Sequence, residues 1–175
     1  MLDDGLNLTT IELDEGEKIP DDLKKFDGMF CMGGPMDTYM EKEYPWLIEE
    51  KKKIREFVVD LKKPYLGFCL GCQLLGEVVG GKVVKSNPAE IGIMDINFTE
   101  NKKKDTLFSK FPDNIKSLQW HSYEVRGIEK NPDITLLASS PVTKYQIFKY
   151  RNYAYGIQFH IEIKDTTVND WGCVP

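Results

Sequence analysis

Gly67-Phe68-Cys69-Leu70-Gly71-Cys72-Gln73 joins a short apolar run, Tyr65–Phe68, to a helical pattern carrying Leu74, Leu75, Val78 and Val79. Glycines two residues before and two after a cysteine, at a strand-to-helix junction, describe a nucleophile elbow. At so sharp a turn the cysteine backbone is strained. Side chains on the flanking residues would collide with the neighbouring strand and helix, and glycine removes both collisions. The turn lifts Cys69 out at the edge of a sheet and sets its sulfur over the first turn of the next helix, where free N–H groups and the helix dipole favour thiolate. The backbone N–H of Leu70 points at the same spot.

Working outward, residues 28–32 (GMFCM) read as a buried strand running into the turn Gly33-Gly34-Pro35. Pro45 opens a helix in which Leu47, Ile54, Val58 and Leu61 recur at helical spacing, and Lys62-Lys63-Pro64 stops it. Gly80-Gly81 closes the second helix as a C-cap. Strand, helix, strand, helix in this order predicts a parallel sheet with helices packed on its faces. Nearer the start, residues 8–13 read as a short strand and 21–26 as a helical turn. Beyond Lys82 the pattern becomes strand-rich: 82–85, 91–98, 115–120, Ile134–Ser139, 145–150 and 153–159, the last two as a hairpin turning at Arg151-Asn152. No repeat or linker divides the chain, so residues 1–175 are expected to form a single domain.

With 23 basic and 28 acidic residues the formal charge is −5, and the basic residues are scattered or in short runs such as 102–104, which argues against a nucleic-acid surface. Hydrophobic residues at 41% with charged residues at 29% make a soluble globular mixture, and no apolar run reaches membrane-spanning length. Met1-Leu2-Asp3-Asp4 lacks the basic and apolar regions of a secretory signal. The four cysteines are therefore expected to be thiols in a reducing, cytoplasmic setting, with Cys31 a buried core thiol and Cys173 a tail residue.

A cysteine nucleophile needs a base, and the chain holds two histidines. In His160-Ile161-Glu162 strand alternation turns 160 and 162 the same way, so the carboxylate orients an imidazole that accepts the thiol proton. The Gly33-Gly34 turn, at the end of the expected adjacent strand, offers a second oxyanion donor beside Leu70. His121, in Trp120-His121-Ser122, is the rival base. It reads as pocket-lining or structural, because no carboxylate lies two residues away to orient it. Taken alone, a glycine-flanked cysteine is an ordinary core thiol and a His-x-Glu is ordinary surface; their combination around one elbow is far more specific. The competing reading of Cys69-Leu70-Gly71-Cys72 as a C-x-x-C redox pair leaves the elbow glycines and His160-Ile161-Glu162 unexplained.

Four segments carry a resemblance to the class I glutamine amidotransferases, in particular small stand-alone domains similar to the amidotransferase part of GMP synthase. They are Gly33-Gly34-Pro35-Met36, the elbow at 67–73, Trp120-His121-Ser122-Tyr123-Glu124-Val125 and Gly156-Ile157-Gln158-Phe159-His160-Ile161-Glu162. The resemblance runs from Leu8 to the end of the chain. It implies an α/β fold, three-layer and flavodoxin-like, with a mostly parallel sheet, helices on both faces and a small antiparallel sheet. It also implies that Cys69 attacks the side-chain amide of glutamine, that His160, oriented by Glu162, protonates departing ammonia, and that water hydrolyses a glutamyl thioester. By the same resemblance Gly34 and Leu70 are the oxyanion donors, while Gln73 and the backbone near His121 and Ser122 hold the glutamine.

No metal or cofactor is implied, and the ammonia is expected to serve a synthetase, either as a separate subunit or as a fused domain. A γ-glutamyl peptide hydrolase and a catalytically silent regulatory domain are the alternatives on the same fold. Two departures stand out. Ile161 replaces the family's usual proline, which is expected to keep the alternation and lose some rigidity. Family members also begin with a strand and helix ahead of the region matching Leu8 and end with a helix after Glu162, so the chain is expected to be a fragment incomplete at both ends.

Overall fold

The computed structural model describes residues 5–164 and 166–172. Cys173 and the first four residues lie outside them, so the readings placed there have no structural counterpart. The segment 28–31 forms strand β1 (Met29–Cys31), and Pro45 precedes helix α1 (Trp46–Arg55), which continues into a wider π turn at Glu56–Asp60. Leu47, Ile54, Phe57 and Val58 are buried on its inner side, and Lys62, at φ 56°, turns the chain out of it. Strand β2 (Tyr65–Phe68) and helix α2 (Leu70–Val78) follow, so the elbow falls where the spacing predicts it. Gly80, at φ 100°, closes α2.

Beyond the elbow come β3 (Lys82–Phe98), β4 (Asn114–Arg126), β5 (Ile134–Ser139), β6 (Ile147–Tyr150), β7 (Ala154–Ile157) and a short helix α3 (Thr167–Gly172). All seven strands join one sheet in the order β1-β2-β7-β6-β5-β3-β4. β2 is paired in parallel on both sides, with β1 and with β7. That explains its near-continuous apolar sequence: both edges are bonded and both faces covered.

Alternation on the central strands divides the core into two layers. Tyr65 of β2, Phe148 of β6 and Ala154 of β7 face α1 and α2. Leu66 and Phe68 of β2, Ile147 of β6, and Tyr155 and Ile157 of β7 face the other way, under Phe98 and Phe108. Leu74 and Leu75 of α2 are fully buried, each worth about 1.5–3 kcal/mol on area grounds.

The α/β flavodoxin-like expectation holds, with differences of detail. The antiparallel part is continuous with the parallel part, and two pairings are parallel against four antiparallel. The cause is local: β6 and β7 are joined by a tight turn at Arg151 (φ 53°), and such connections permit only antiparallel pairing. The two runs 82–85 and 91–98 are one strand with an irregularity between Lys85 and Glu90, pairing along most of β4. Both longer helices lie on one face. Among the described residues the other face is covered by the 3₁₀ turn Glu100–Lys104 and the aromatic group Phe98, Phe108 and Phe111. Residues 8–12 form no strand and lead into a 3₁₀ turn at Leu13–Glu15, because they lie largely exposed with no strand beside them to supply a ladder. The helical turn expected at 21–26 is a 3₁₀ turn, Leu23–Lys25, capped by Asp22.

Two contacts hold the elbow. A Cβ on Gly71 would lie 2.2 Å from the Cys31 carbonyl oxygen of β1, and one on Gly67 would lie 2.5 Å from the Gly71 carbonyl. These neighbours are main chain and cannot swing away. Gly71→Ala is therefore expected to destabilise the chain by about 2–4 kcal/mol in denaturant unfolding, while exposed Ser122→Ala stays within about 0.5 kcal/mol. Equal midpoints for the two variants would show that α2 does not pack this closely on β1.

Candidate active site

Cys69 is the single residue between β2 and α2, with φ 46° and ψ −102°, a conformation that L residues rarely adopt. Its N–H extends the ladder by donating to the Ile157 carbonyl (2.9 Å), and its carbonyl accepts the first helical bond from the Gln73 N–H (3.1 Å). Strand bonding on one side and helix bonding on the other over-determine the strained residue. The thiol is buried, at 8% exposure. Burial, and next the Glu162 charge, push it up to about 12, while the Leu70 N–H and the Gln158 amide act in the opposite sense. The expectation that the helix start favours thiolate is thus corrected: desolvation outweighs the N–H donors, and Cys69 rests as a neutral thiol that needs a base.

His160 follows β7. Its N–H donates to the Leu118 carbonyl (2.9 Å), and its own carbonyl accepts from the Ser117 hydroxyl (3.0 Å), so β4 clamps its backbone. Nδ1 lies 2.7 Å from Glu162 Oε1. Because a carboxylate only accepts, Nδ1 carries a proton, and in the neutral ring the lone pair is on Nε2. Burial works to raise the Glu162 carboxyl, but the hydrogen bond from His160 and those from backbone N–H groups hold it below its ordinary range. Ile161 adds something proline cannot: its N–H donates to Glu162 Oε2 at 2.8 Å. The departure from the family pattern therefore fixes the carboxylate through a bond instead of through a ring. Trp171 of α3 stands edge-on to the imidazole, with ring centroids 4.6 Å apart.

The Gly33-Gly34 turn closes the constellation. The point a Gly33 Cβ would occupy is 3.3 Å from His160 Cε1 and 3.4 Å from Cys69 Cβ, so imidazole, cysteine and turn meet at one place. The corresponding point at Gly34 is 3.3 Å from Leu70 Cδ2. The sulfur accepts from Gln158 Nε2 at 3.7 Å; among the described residues no hydrogen bond joins it to His160. Two surface cavities, of about 340 and 300 Å³, are lined by residues around Glu124 and Tyr145 and around Leu13 and Trp46, away from this constellation.

Gln73 is buried and one link removed from the cysteine: its Nε2 lies 3.3 Å from Gln158 Oε1 and 3.2 Å from the Tyr123 carbonyl. Ser122 is exposed. His121 is drawn away from Cys69, with Nδ1 on the Tyr123 carbonyl (2.9 Å) and Nε2 on Gln119 Oε1 (2.9 Å). The ground given for reading it as pocket-lining or structural is incomplete. A carboxylate does face His121, from Glu90 directly across the β3–β4 ladder at 3.4 Å, a partner that spacing along one strand cannot reveal. Gln158 was the legible omission, since it shares the alternation of 160 and 162. Cys72 is fully buried, its sulfur 3.0 Å from where a Gly156 Cβ would sit, which places it in the core and not in an exchangeable pair with Cys69.

The family profile described as Glutamine amidotransferase class-I matches residues 2–170. The chain is 32% identical over 151 residues to a subunit of the glutamine-hydrolyzing GMP synthase of Sulfolobus acidocaldarius, covering 86% of this chain and 74% of that protein. It is 33% identical over 147 residues to the same-named protein of Picrophilus torridus, covering 83% and 72%. The crystal structure of a glutamine amidotransferase from Thermotoga maritima superposes with a TM-score of 0.85 at 29% identity, covering 97% of this chain and 71% of that one.

The lowered Glu162 carboxyl has a consequence for stability. A depressed folded value stabilises above the unfolded glutamate range, near ~4.3, and that contribution is lost as the pH falls through the folded value. Glu162→Gln is therefore expected to be less stable than the parent at pH 7 and to lose less on acidification to pH 3, measured by denaturant unfolding across that range. Parallel pH curves for the two would show that the carboxylate is not engaged in the folded chain.

Proposed function

The chain belongs to the class I glutamine amidotransferases, and from that membership we propose that residues 1–175 act as one amidotransferase domain in which Cys69, His160 and Glu162 hydrolyse the side-chain amide of glutamine. The observation that carries the reading is the meeting of three groups: a strained cysteine at a strand-to-helix turn, an imidazole whose Nδ1 is 2.7 Å from a carboxylate, and a glycine turn touching both.

The resting thiol is neutral, so the first step is proton transfer from Sγ to His160 Nε2, the nitrogen Glu162 leaves free. Thiolate then attacks the amide carbon, and the developing oxyanion is met by the Leu70 N–H at the start of α2 and the Gly34 N–H of the turn. The imidazolium, held by Glu162, returns its proton to the departing nitrogen, releasing ammonia and leaving a glutamyl thioester. Water, deprotonated by the same Nε2, hydrolyses the thioester to glutamate and restores the thiol. Gln73, fixed between Tyr123 and Gln158, and the backbone near His121 and Ser122 hold the substrate. Relatives named as one subunit of GMP synthase support a further step: the ammonia passes to a synthetase, on a separate chain or a fused domain. Among the described residues no helix is long and apolar enough to cross a membrane, and no group of three His, Cys, Asp or Glu residues is arranged to hold a metal.

The test is ammonia and glutamate release from glutamine. Cys69→Ala should abolish it and Cys72→Ser should leave most of it. His160→Asn should cost about 10³-fold or more, since members of a catalytic unit are non-additive, and Glu162→Gln should cost less than either because the carboxylate only orients and stabilises the base. Equal losses at Cys69 and Cys72 would favour a redox pair, and a larger loss in His121→Asn than in His160→Asn would move the base.

A further inference from the structure

A second histidine–carboxylate pair lies behind the site, where the mechanism makes no use of it. Glu90 is 1% exposed and lies on β3 opposite His121 of β4. Its Oε1 accepts from the Ser140 hydroxyl (2.6 Å), and its Oε2 accepts from Gln146 Nε2 (2.9 Å) and lies 3.4 Å from His121 Nε2. The other groups facing the pair, Gln119, Ser140, Thr143, Gln146 and the Tyr123 carbonyl, are uncharged.

Both nitrogens of the His121 ring face acceptors. Nδ1 faces the Tyr123 carbonyl, which only accepts, so it carries a proton. Nε2 faces Gln119 Oε1 and the Glu90 carboxylate, which accept as well. Turning the Gln119 amide over would give Nε2 a donor, but would set its lone pair against a buried carboxylate, whereas the present orientation leaves only Gln119 Nε2 without a partner. A ring protonated at both nitrogens would meet the acceptors on both sides.

Two routes lead from this pair to the nucleophile. His121 donates to the Tyr123 carbonyl, which also accepts from Gln73 Nε2; Gln73 in turn meets Gln158, whose amide donates to Cys69 Sγ. Separately, Glu90 holds the side chain of Gln146, whose backbone carbonyl accepts the Gln158 N–H at 2.9 Å. We propose that Glu90 and His121 form a buried carboxylate–imidazolium pair that positions the Gln73 and Gln158 amides beside Cys69 for glutamine hydrolysis. Their side chains act by positioning and touch neither substrate nor sulfur. The role rests on the proposed glutaminase reaction; the charge state does not.

The chain has two histidines, so in ¹⁵N-histidine-labelled His160→Asn protein the remaining imidazole signals belong to His121. Both ring nitrogens are expected to stay protonated from pH 6 to pH 8, and one to lose its proton when Glu90→Gln is added. In kinetics on the otherwise intact chain, Glu90→Gln should lower kcat/KM for glutamine about tenfold, and Glu90→Asp, which keeps the charge on a shorter arm, should recover part of it. Loss of packing alone would make the shortened Asp the worse variant. A neutral His121 in the labelled chain, a Glu90→Gln enzyme equal to the parent, or Asp worse than Gln would each overturn the proposal. If the parent chain releases no ammonia, the glutaminase reading fails, and the ring signals still decide whether the pair exists.

Discussion

The main-chain carbonyl of Cys31 lies where a side chain on residue 71 would have to go, and much of the site follows from that contact. α2 can sit directly on the ends of β1 and β2 only because Gly67 and Gly71 carry no Cβ. With the helix that close, one residue must reverse the chain from ladder to helix, and it does so at φ 46°. That residue is Cys69. The strain is held by bonds on both sides, to Ile157 on β7 and from Gln73 in α2. The same closeness brings the Gly33-Gly34 turn, at the end of β1, against the cysteine and the imidazole.

Burial then decides how the site works. A thiol at a helix start is usually discussed as a ready thiolate, but here desolvation and the neighbouring Glu162 charge dominate. In the proposed reaction the consequence is a division of labour: the helix start serves the oxyanion, and activation of the sulfur falls to His160. Glu162 would act twice there, fixing the tautomer through its 2.7 Å contact and balancing the imidazolium. Ile161 shows that the backbone between the two can be restrained by an N–H bond where the family pattern uses a ring.

The antiparallel ribbon β3–β4 supports the candidate site as well as the core. It clamps His160 through Leu118 and Ser117, and it supplies Tyr123, whose carbonyl receives Gln73. Its buried Glu90, His121 and Gln119 make the sheet interior polar where an apolar core would pack more simply. Such groups are costly unless hydrogen-bonded, and apart from Gln119 Nε2 their bonds run toward Cys69.

Local spacing alone marked out the elbow, the two helices around it, the hairpin at Arg151, and Cys69 and the His160-Ile161-Glu162 pair as candidates, because each depends on residues within one turn or one strand repeat. Gln158 was open to the same alternation argument. Tertiary structure alone decided the rest. Whether 82–85 and 91–98 were two strands or one depended on β4 lying alongside. Residues 8–12 failed as a strand for want of a neighbour, which no local pattern announces. Glu90 met His121 through a cross-strand register between segments far apart in sequence, and the state of the Cys69 thiol turned on how much water the assembled sheet excludes. Periodicity is a property of neighbours along the chain; pairing, register and desolvation belong to neighbours in space.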